Sequence, residues 1–357
     1  MNKNSKLLLV TGGCGFIGSN FVRKVLLSNE YSVVNLDNLT YAGNINNLSS
    51  FHGNNSYEFI QGDIGDQVLV KSLLNRYQPD AIINFAAESH VDRSIESPKI
   101  FIDTNIVGTF NLLDMIKHYW VDLNESKKET FLFLHISTDE VYGSLAKNEL
   151  PFNESNKYFP NSPYAASKAS SDHFVRAFNV TYGLPTIITN CSNNYGPYQF
   201  PEKLIPLIIN NALNGKPLPI YGDGLQIRDW LYVEDHVDAI SLILEGGKKG
   251  ETYNIGGSNE IKNIDIVQMV CKALDSIKPL PKNKSYFEQV KFIKDRPGHD
   301  QRYAIDSSKI NREFGWQARE TIESGIYKTV KWYLENTKWL DDVVSGEYMN
   351  WVKSQYN

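Results

Sequence analysis

Two adjacent carboxyl side chains, Asp139 and Glu140, follow Thr138 in the segment S-T-D-E-V-Y. The residues before this segment, 131–136, form a continuous apolar run that is typical of a buried parallel strand. The polar cluster is therefore expected where that strand ends, which is the edge of an open α/β sheet that binds ligands. Two carboxyl groups there predict proton transfer with a substrate. A solvated loop is the simpler interpretation of the pair alone, so the choice depends on other residues.

Tyr164 and Lys168 are a second pair that could do chemistry. They lie in S-P-Y-A-A-S-K, where Ser162 is expected as the N-cap and Pro163 as the first residue of a helix. Residues four apart share a helix face. Tyrosine, with a pKa of about 10, is a poor base at neutral pH, and a neighbouring ammonium lowers that pKa. We therefore predict that Lys168 activates Tyr164.

The Tyr-x-x-x-Lys spacing alone discriminates poorly, because Tyr327 and Lys331 repeat it in what we interpret as an ordinary surface helix. Tyr164 is preferred because its helix follows the strand that ends near Thr138, within the part of the chain that carries nucleotide-binding signals.

A glycine-rich turn opens the chain. Residues 6–10 read as a short apolar strand, T-G-G-C-G-F-I-G follows, and apolar residues then repeat at helical spacing. Gly12, Gly15 and Gly18 would let the backbone approach a pyrophosphate, which the free N–H groups of the helix start would bind. Placed between a strand and an amphipathic helix, this motif predicts a dinucleotide site.

A second strand, S-V-V-N-L-D, ends at Asp37, 19 residues after Gly18. A carboxylate at this place accepts hydrogen bonds from the adenosine ribose and repels a 2′-phosphate. The sequence has no Lys or Arg between Lys24 and Lys71, so NAD is predicted over NADP. The alternative is that Asp37 merely caps a turn.

Strand and helix patterns alternate across the first 190 residues and predict an α/β fold with a doubly wound parallel (Rossmann) sheet. The third strand, residues 59–64, would place Asp63 near the adenine amino group. The fourth, A-I-I-N-F-A-A from Ala81, ends in small residues that leave space for a flat ligand. We expect an NAD-binding domain at 1–190, with return segments near 226–250 and 300–308, and a smaller α/β sugar-nucleotide domain in the remainder of 191–357.

Composition narrows the class of protein. The 357 residues carry a net charge of −5 with no basic run, which argues against nucleic-acid and membrane binding. The three cysteines lie far apart without metal-ligand spacing, so we expect no metal and a reducing, cytoplasmic setting. The N-terminal apolar stretch ends at Val10, too early for a signal peptide.

Taken together, these motifs resemble the extended short-chain dehydrogenase/reductase family of NAD-dependent sugar-nucleotide enzymes. The resemblance covers nearly the whole chain and is strongest to the family's 4,6-dehydratases, through D-N-L-T-Y-A-G-N, A-A-E-S-H-V-D-R-S, N-C-S-N-N-Y-G-P, P-E-K-L-I-P, I-R-D-W-L-Y-V-E-D-H and D-R-P-G-H-D-x-R-Y-A-I-D. The acid pair after the threonine is the sharpest marker, because the family's epimerases and decarboxylases lack it.

The resemblance implies a lyase of deoxysugar biosynthesis, as in the dTDP-rhamnose pathway, that removes water from dTDP-glucose with a tightly bound, regenerated NAD. Tyr164 would take the C4 hydroxyl proton and Thr138 would orient that oxygen. Glu140 would remove the C5 proton, Asp139 would protonate the departing C6 oxygen, and Lys168 would hold the nicotinamide ribose and keep the tyrosine ionised.

The resemblance also implies two sets of ligand contacts. The cofactor contacts are expected at Gly12, Gly15, Phe16, Ile17, Gly18, Asp37, Asn38, Leu39, Thr40, Asp63, Ile64, Phe85, Ala86, Ala87, Ser89, Thr104, Tyr164, Lys168 and Asn194. The substrate contacts are expected at Ser89, His90, Thr138, Asn193, Lys203, Leu204, Pro219, Ile220, Tyr221, Arg228, Asn263, Arg296 and His299, with Arg228 on the diphosphate and Tyr221 near the thymine.

Two alternatives remain open at this point. The nearer one is another sugar-nucleotide enzyme of the same fold, a 4-epimerase or a UDP-glucuronate decarboxylase. The other is a non-catalytic, NAD-sensing regulator, which would not need Tyr164, Lys168 and both acids together. The resemblance further implies a homodimer, held by a four-helix bundle of helices near 105–119 and 166–181.

Overall fold

The computed structural model describes residues 5–344; residues 1–4 and 345–357, the ends of the two predicted domains, lie outside the described residues. The strands are β1 (Lys6–Thr11), β2 (Tyr31–Asp37), β3 (Tyr57–Gln61), β4 (Ala81–Asn84), β5 (Leu132–Thr138), β6 (Thr186–Cys191), β7 (Asn193–Tyr195), β8 (Leu218–Tyr221), β9 (Ile227–Tyr232), β10 (Thr252–Ile255), β11 (Glu260–Lys262) and β12 (Val290–Ile293). The helices are α1 (Phe16–Leu27), α2 (Gln67–Tyr77), α3 (Val91–Glu96), α4 (Pro98–Phe101), α5 (Thr109–Val121), α6 (Glu125–Thr130), α7 (Pro163–Tyr182), α8 (Leu204–Leu213), α9 (Val233–Gly246), α10 (Asn263–Ile277), α11 (Ser308–Phe314), α12 (Ile322–Glu335) and α13 (Thr337–Val344). A π-helical turn, Ile102–Gly108, leads into α5, and 3-10 turns occupy Ile45–Phe51, Asp139–Tyr142, Pro281–Asn283 and Tyr286–Gln289.

A seven-stranded sheet forms the centre, in the order β10-β6-β5-β4-β1-β2-β3, and every pairing within it is parallel. The apolar runs of β2 and β5 are buried along their whole length because helices cover both faces of the sheet. The predicted doubly wound parallel sheet is therefore confirmed.

Two strands end earlier than predicted. β3 stops at Gln61 rather than near residue 64, and β4 stops at Asn84 rather than running on through Ala87. The Asn84 side chain accepts a hydrogen bond from Thr11 Oγ1 at 2.6 Å, and the chain then leaves the sheet. The residues after both strands are thereby freed to line a ligand cleft at the sheet edge.

A second set of elements packs beside the sheet. β7, β9 and β11 form a three-stranded sheet, β8 and β12 pair in parallel, and α8, α10 and α12 enclose a separate hydrophobic core. α9 lies instead against α1 and contributes to the core of the large sheet, which β10 joins as an edge strand. The predicted domain limits and return segments stay a prediction. β10 is a further segment from the second half of the chain that returns to the large sheet.

Candidate active site

A cleft along the carboxyl edge of the seven-stranded sheet has a volume of about 290 Å³. It brings together most of the predicted site residues, although the turns and strands that carry them are far apart in the sequence. The predicted residues that line it are Gly12, Gly15, Phe16, Ile17, Gly18, Asp37, Asn38, Thr40, Asp63, Ile64, Phe85, Ala86, Ala87, Ser89, Thr104, Thr138, Asp139, Glu140, Tyr164, Lys168, Asn193, Asn194 and Lys203.

The turn between β1 and α1 requires its glycines. Gly12 has φ +70°, and a Cβ placed on it would lie 2.5 Å from the Ala86 backbone nitrogen. Gly15 caps α1 without any side-chain hydrogen bond to the helix start, so the first N–H groups face the cleft side of the turn. This is the arrangement that accepts a pyrophosphate.

Asp37 closes the same end of the cleft. Its two carboxylate oxygens each accept a backbone N–H at 2.8 Å, one from Cys14 and the other from Leu39. The carboxylate thus does cap a turn, as the alternative interpretation proposed, but each oxygen keeps a second lone pair that can accept a ribose hydroxyl. Asp63 similarly accepts from Gly65 N and Asn38 Nδ2.

The acid pair sits where β5 ends. Thr138 Oγ1 caps the 3-10 turn by accepting from Glu140 N at 3.3 Å, so the threonine and both acids turn together into the cleft. Burial raises the pKa of Asp139 well above its ordinary value, and Glu140 and Asp229 raise it further. Burial also raises the pKa of Glu140, but Arg296, Lys203 and Arg228 act against that rise.

Tyr164 enters the cleft from the start of α7. Ser162 Oγ accepts from Ala165 N at 3.0 Å and Pro163 begins the helix, which confirms the predicted N-cap. Burial raises the pKa of the Tyr164 phenol well above its usual range, Glu140 raises it further, and a hydrogen bond with Thr138 lowers it.

The activation of Tyr164 by Lys168 stays a prediction. The Lys168 Nζ donates to the Ile136 carbonyl at 2.9 Å and lies 3.3 Å from His135 Nε2, so its charge is directed toward β5 beneath the cleft. Burial raises the pKa of Tyr164, and a neighbouring ammonium acts in the opposite direction.

One predicted cofactor position, Leu39, lies outside the cleft lining. The predicted substrate positions outside it are His90, Leu204, Pro219, Ile220, Tyr221, Arg228, Asn263, Arg296 and His299. Asp92 holds two of them together, because Arg296 Nη1 donates to it at 2.9 Å and the Tyr221 hydroxyl at 3.1 Å. The buried Arg228 guanidinium stacks 4.3 Å from the Tyr303 ring and donates to the Asp300 carbonyl.

Ile220 and His299 are held by the protein's own contacts. The Ile220 side chain is buried in the hydrophobic core that α8, α10 and α12 enclose. Any ligand contact at this position would therefore use its backbone. His299 Nδ1 lies 2.6 Å from Asp295 Oδ1, and burial lowers the pKa of its imidazole to about 4.

Comparison with known proteins identifies the family. A family model described as GDP-mannose 4,6 dehydratase matches residues 9–329. A dTDP-glucose 4,6-dehydratase of Salmonella typhimurium is 58% identical over 357 residues, 98% of each chain. The dTDP-glucose 4,6-dehydratase DesIV of Streptomyces venezuelae, solved with NAD and TYD bound, has a TM-score of 0.86 at 44% identity and covers 94% of this chain and 99% of its own. The chain belongs to the dTDP-glucose 4,6-dehydratase family.

The fold is shared more widely than the family. A UDP-glucose 4-epimerase of Thermus thermophilus, solved with NAD, has a TM-score of 0.81 at 27% identity over 92% of this chain. The resemblance to extended short-chain dehydrogenases/reductases is thus confirmed, and the much higher identity to dTDP-glucose 4,6-dehydratases separates this chain from the epimerases.

In this member of the dTDP-glucose 4,6-dehydratase family, several polar residues that line the cleft were not predicted from the sequence. Glu202 is the clearest: it accepts from the Tyr41 hydroxyl at 3.1 Å and from Arg93 Nε at 3.3 Å, and burial raises its pKa to about 7. Its signal was present in P-E-K-L-I-P, directly before α8. Cys191, Ser192 and Gln199 also line the cleft without having been predicted.

The second Tyr-x-x-x-Lys match has no part in the cleft lining. Tyr327 lies on α12 with 48% of its surface exposed, as expected for an ordinary surface helix. Within residues 5–344, no cluster of three or more His, Cys, Asp or Glu side chains is arranged to hold a metal ion. Over the same residues, each helix is too short or too polar to cross a membrane.

Proposed function

We propose that this protein converts dTDP-glucose to dTDP-4-keto-6-deoxyglucose and water, with NAD as a cofactor regenerated in each turnover. The observation that carries the proposal is the pair of acids at the end of β5, Asp139 and Glu140, which face the same cleft as Tyr164 in environments of different charge. The names of the relatives at 58% and 44% identity support the same reaction.

The β1–α1 turn and the ends of β2 and β3 fit NAD. The close approach at Gly12 and the uncapped helix start at Gly15 suit the pyrophosphate, and Asp37 suits an unphosphorylated ribose. When bound, NAD supplies the reversible oxidation at C4 and the reduction at C6 that precede and follow the loss of water.

The protein's own side chains move the protons. Tyr164, in its phenolate form, accepts the proton of the C4 hydroxyl, Thr138 holds the same oxygen, and the ammonium of Lys168 stabilises the phenolate. A ketone at C4 makes the C5 hydrogen acidic, and Glu140 removes it as a proton and returns a proton to C5 when C6 is reduced. Asp139, which its surroundings keep protonated, donates to the departing C6 oxygen, and each such transfer accelerates the step by about 10²–10⁴.

The nucleotide end of the substrate would lie toward β8 and β9. Arg228, with a planar guanidinium fixed by Tyr303 and Asp300, matches the paired oxygens of a diphosphate. Arg296 and Tyr221 share Asp92 and would be held ready beside the thymidine.

We also propose a homodimer in the cytoplasm. The π-turn and α5 expose Ile102, Val107, Phe110 and Val121, and α7 exposes Phe174, Val180 and Tyr182, which supports a bundle of four helices between two copies. The three cysteines are free and buried, as suits a reducing compartment.

Incubation with dTDP-glucose tests the reaction. We expect a product lighter by one water molecule, detected by mass and by the alkali-induced absorbance of a 4-keto sugar, without net accumulation of NADH. A product of unchanged mass would show a 4-epimerase instead, and turnover of UDP-glucuronate with release of carbon dioxide would show a decarboxylase. UDP-glucose in a parallel reaction measures the preference for thymidine.

A further inference from the structure

Beneath the cleft lies a buried carboxylate, Asp172, that has no part in the proposed chemistry. Asp172 is on α7, one helical turn after Lys168, and only 1% of its surface is exposed. A charge removed from water to this degree is costly unless other groups compensate it. The groups around Asp172 therefore indicate what its charge does.

The two carboxylate oxygens have different surroundings. Oδ2 accepts from Ser137 Oγ at 2.8 Å and from Asn190 Nδ2 at 3.4 Å, and Asn190 also donates to the Thr138 carbonyl. Oδ1 accepts no hydrogen bond from the described residues and lies 3.4 Å from His135 Nε2. Asp172 is thus fixed to the last residues of β5 on one side and faces an imidazole on the other.

The neighbouring hydrogen bonds decide the tautomer of His135. Asn84 Oδ1 accepts from Thr11 Oγ1, so Asn84 Nδ2 is the donor that faces His135 Nδ1 at 3.1 Å. The neutral ring therefore carries its proton on Nε2. Burial lowers the pKa of His135 to about 4, which keeps the ring neutral at physiological pH.

Three polar groups converge on His135 Nε2. Lys168 Nζ and Ser171 Oγ each lie 3.3 Å away, in addition to the Asp172 carboxylate. Ser171 donates its own proton to the Lys168 carbonyl, so its oxygen can accept here. The imidazole thus separates a cation from an anion, both of them buried.

We infer that Asp172 is a positioning residue: it is the buried counter-ion that keeps Lys168 in its ammonium form and directed toward β5, with the neutral ring of His135 lying beside both side chains. The inference rests on the proposed function only for its effect on turnover, since the pairing itself belongs to the folded protein.

Among the titratable groups around Lys168, Asp172 is the one that supplies the negative charge. Cys191 faces Lys168 from β6, and burial raises the pKa of its thiol, so it is neutral at physiological pH. Tyr164 shares the helix of Lys168, and burial raises the pKa of its phenol, so the phenolate is disfavoured in the protein without its ligands. Burial lowers the pKa of Lys168, and Asp172 is the strongest influence that raises it again.

The two phenols near Asp172 do not supply this negative charge either. Burial raises the pKa of Tyr142 and of Tyr158, and the charge of Asp172 raises both further. Both side chains therefore stay neutral, so the negative charge beneath Lys168 is that of the carboxylate.

The pH profile of turnover tests the inference. In Asp172→Asn, Lys168 should lose its proton at lower pH, because a nearby opposite charge shifts a pKa by about 1–3 units. We expect the alkaline limb of kcat to move down by about one pH unit or more, which is a loss of about tenfold on that limb. Asp172→Glu should restore the profile, because it restores the charge.

Asp235→Asn is the matched control. Asp235 is also a buried carboxylate on a helix, α9, where it accepts from Glu320 N, but it lies outside the cleft lining. It should lower thermal stability and leave the pH profile in place. An alkaline limb of Asp172→Asn that superimposes on the wild-type limb would overturn the inference.

A double-mutant cycle in unfolding needs no substrate. If Asp172 compensates Lys168, Asp172→Asn leaves a buried ammonium unpaired and should lower the melting temperature more than the double variant Asp172→Asn/Lys168→Met does. Should the single variant fail to fold, recovery of folded protein in the double variant supports the pairing. Additive losses, or a double variant that also fails to fold, would refute it.

The two experiments also separate this inference from the proposed function. If the wild-type protein makes no 4-keto sugar from dTDP-glucose, the proposed function is contradicted. The double-mutant cycle in unfolding still tests whether Asp172 compensates the charge of Lys168. Wild-type protein that makes the sugar, with an unshifted Asp172→Asn profile, contradicts the inference alone.

Discussion

Asp139 and Glu140 carry the same functional group but meet different surroundings. Asp139 is 2% exposed, and its Oδ2 accepts no hydrogen bond from residues 5–344, so its neutral form is favoured. Burial raises the pKa of Glu140 as well, but three cations act against that rise. Neighbouring carboxyl groups can therefore serve as acid and base in one step because their environments separate their pKa values.

Glu140→Gln should oxidise the substrate and then stop. The amide cannot remove the C5 proton, so we expect reduced cofactor to accumulate on the enzyme while formation of the 4-keto-6-deoxy sugar falls by about 10²–10⁴. The absorbance of the reduced nicotinamide and the product mass are measured together. Tyr327→Phe, on the exposed face of α12, is the control and should behave as wild type. Normal turnover by Glu140→Gln would show that another group is the base.

At the scale of elements, the turn between β1 and α1 depends on backbone geometry more than on side chains. Gly12 combines a left-handed φ with a close approach to the chain after β4, at Ala86. The same approach brings the β4 end beside the helix start, where the cofactor would lie. A glycine is needed here because any Cβ would separate the two segments.

Gly12→Ala should both destabilise the fold and release the cofactor. The added Cβ would lie 2.5 Å from Ala86 N, and backbone strain adds about 1–2 kcal/mol. We expect a lower melting temperature and purified protein with little bound NAD. Gly53→Ala is the matched control: its φ is +81°, but no described atom lies within 4 Å of the new Cβ, so only the backbone strain applies. Equal losses in the two variants would argue against the steric explanation.

At the scale of the whole molecule, apolar side chains of the helix pair α5 and α7 remain exposed. Phe110 and Phe174 contact each other across this pair, with ring centroids 5.8 Å apart, and 39% and 38% of their surfaces are exposed. α7 also carries Tyr164 and Lys168, both of them buried. A partner on the exposed face would therefore stabilise the helix that positions Tyr164.

Phe174→Asp should dissociate the proposed dimer. A carboxylate in the centre of an apolar interface loses its water without gaining a partner, so we expect monomers in sedimentation experiments and reduced activity at low protein concentration. Val68→Asp, which places the same charge on the exposed start of α2, should remain dimeric. Wild-type protein that sediments as a monomer would contradict the proposed dimer itself.

Local pattern determines much of this protein. The apolar runs predict the parallel strands, the glycine spacing predicts the turn after β1, and S-P-Y predicts the start of α7, because each depends on neighbours within a few residues. The resemblance carried by the motifs extends this to the reaction and to many of the residues that line the cleft.

Only the tertiary structure decides which of these residues act on one another. Lys168 contacts His135 and the Ile136 carbonyl, and Glu202 reaches Tyr41 and Arg93 from a distant part of the chain. Charge and burial at such places depend on groups brought together by the fold. Protonation states, which depend on both, therefore cannot be obtained from spacing along the chain.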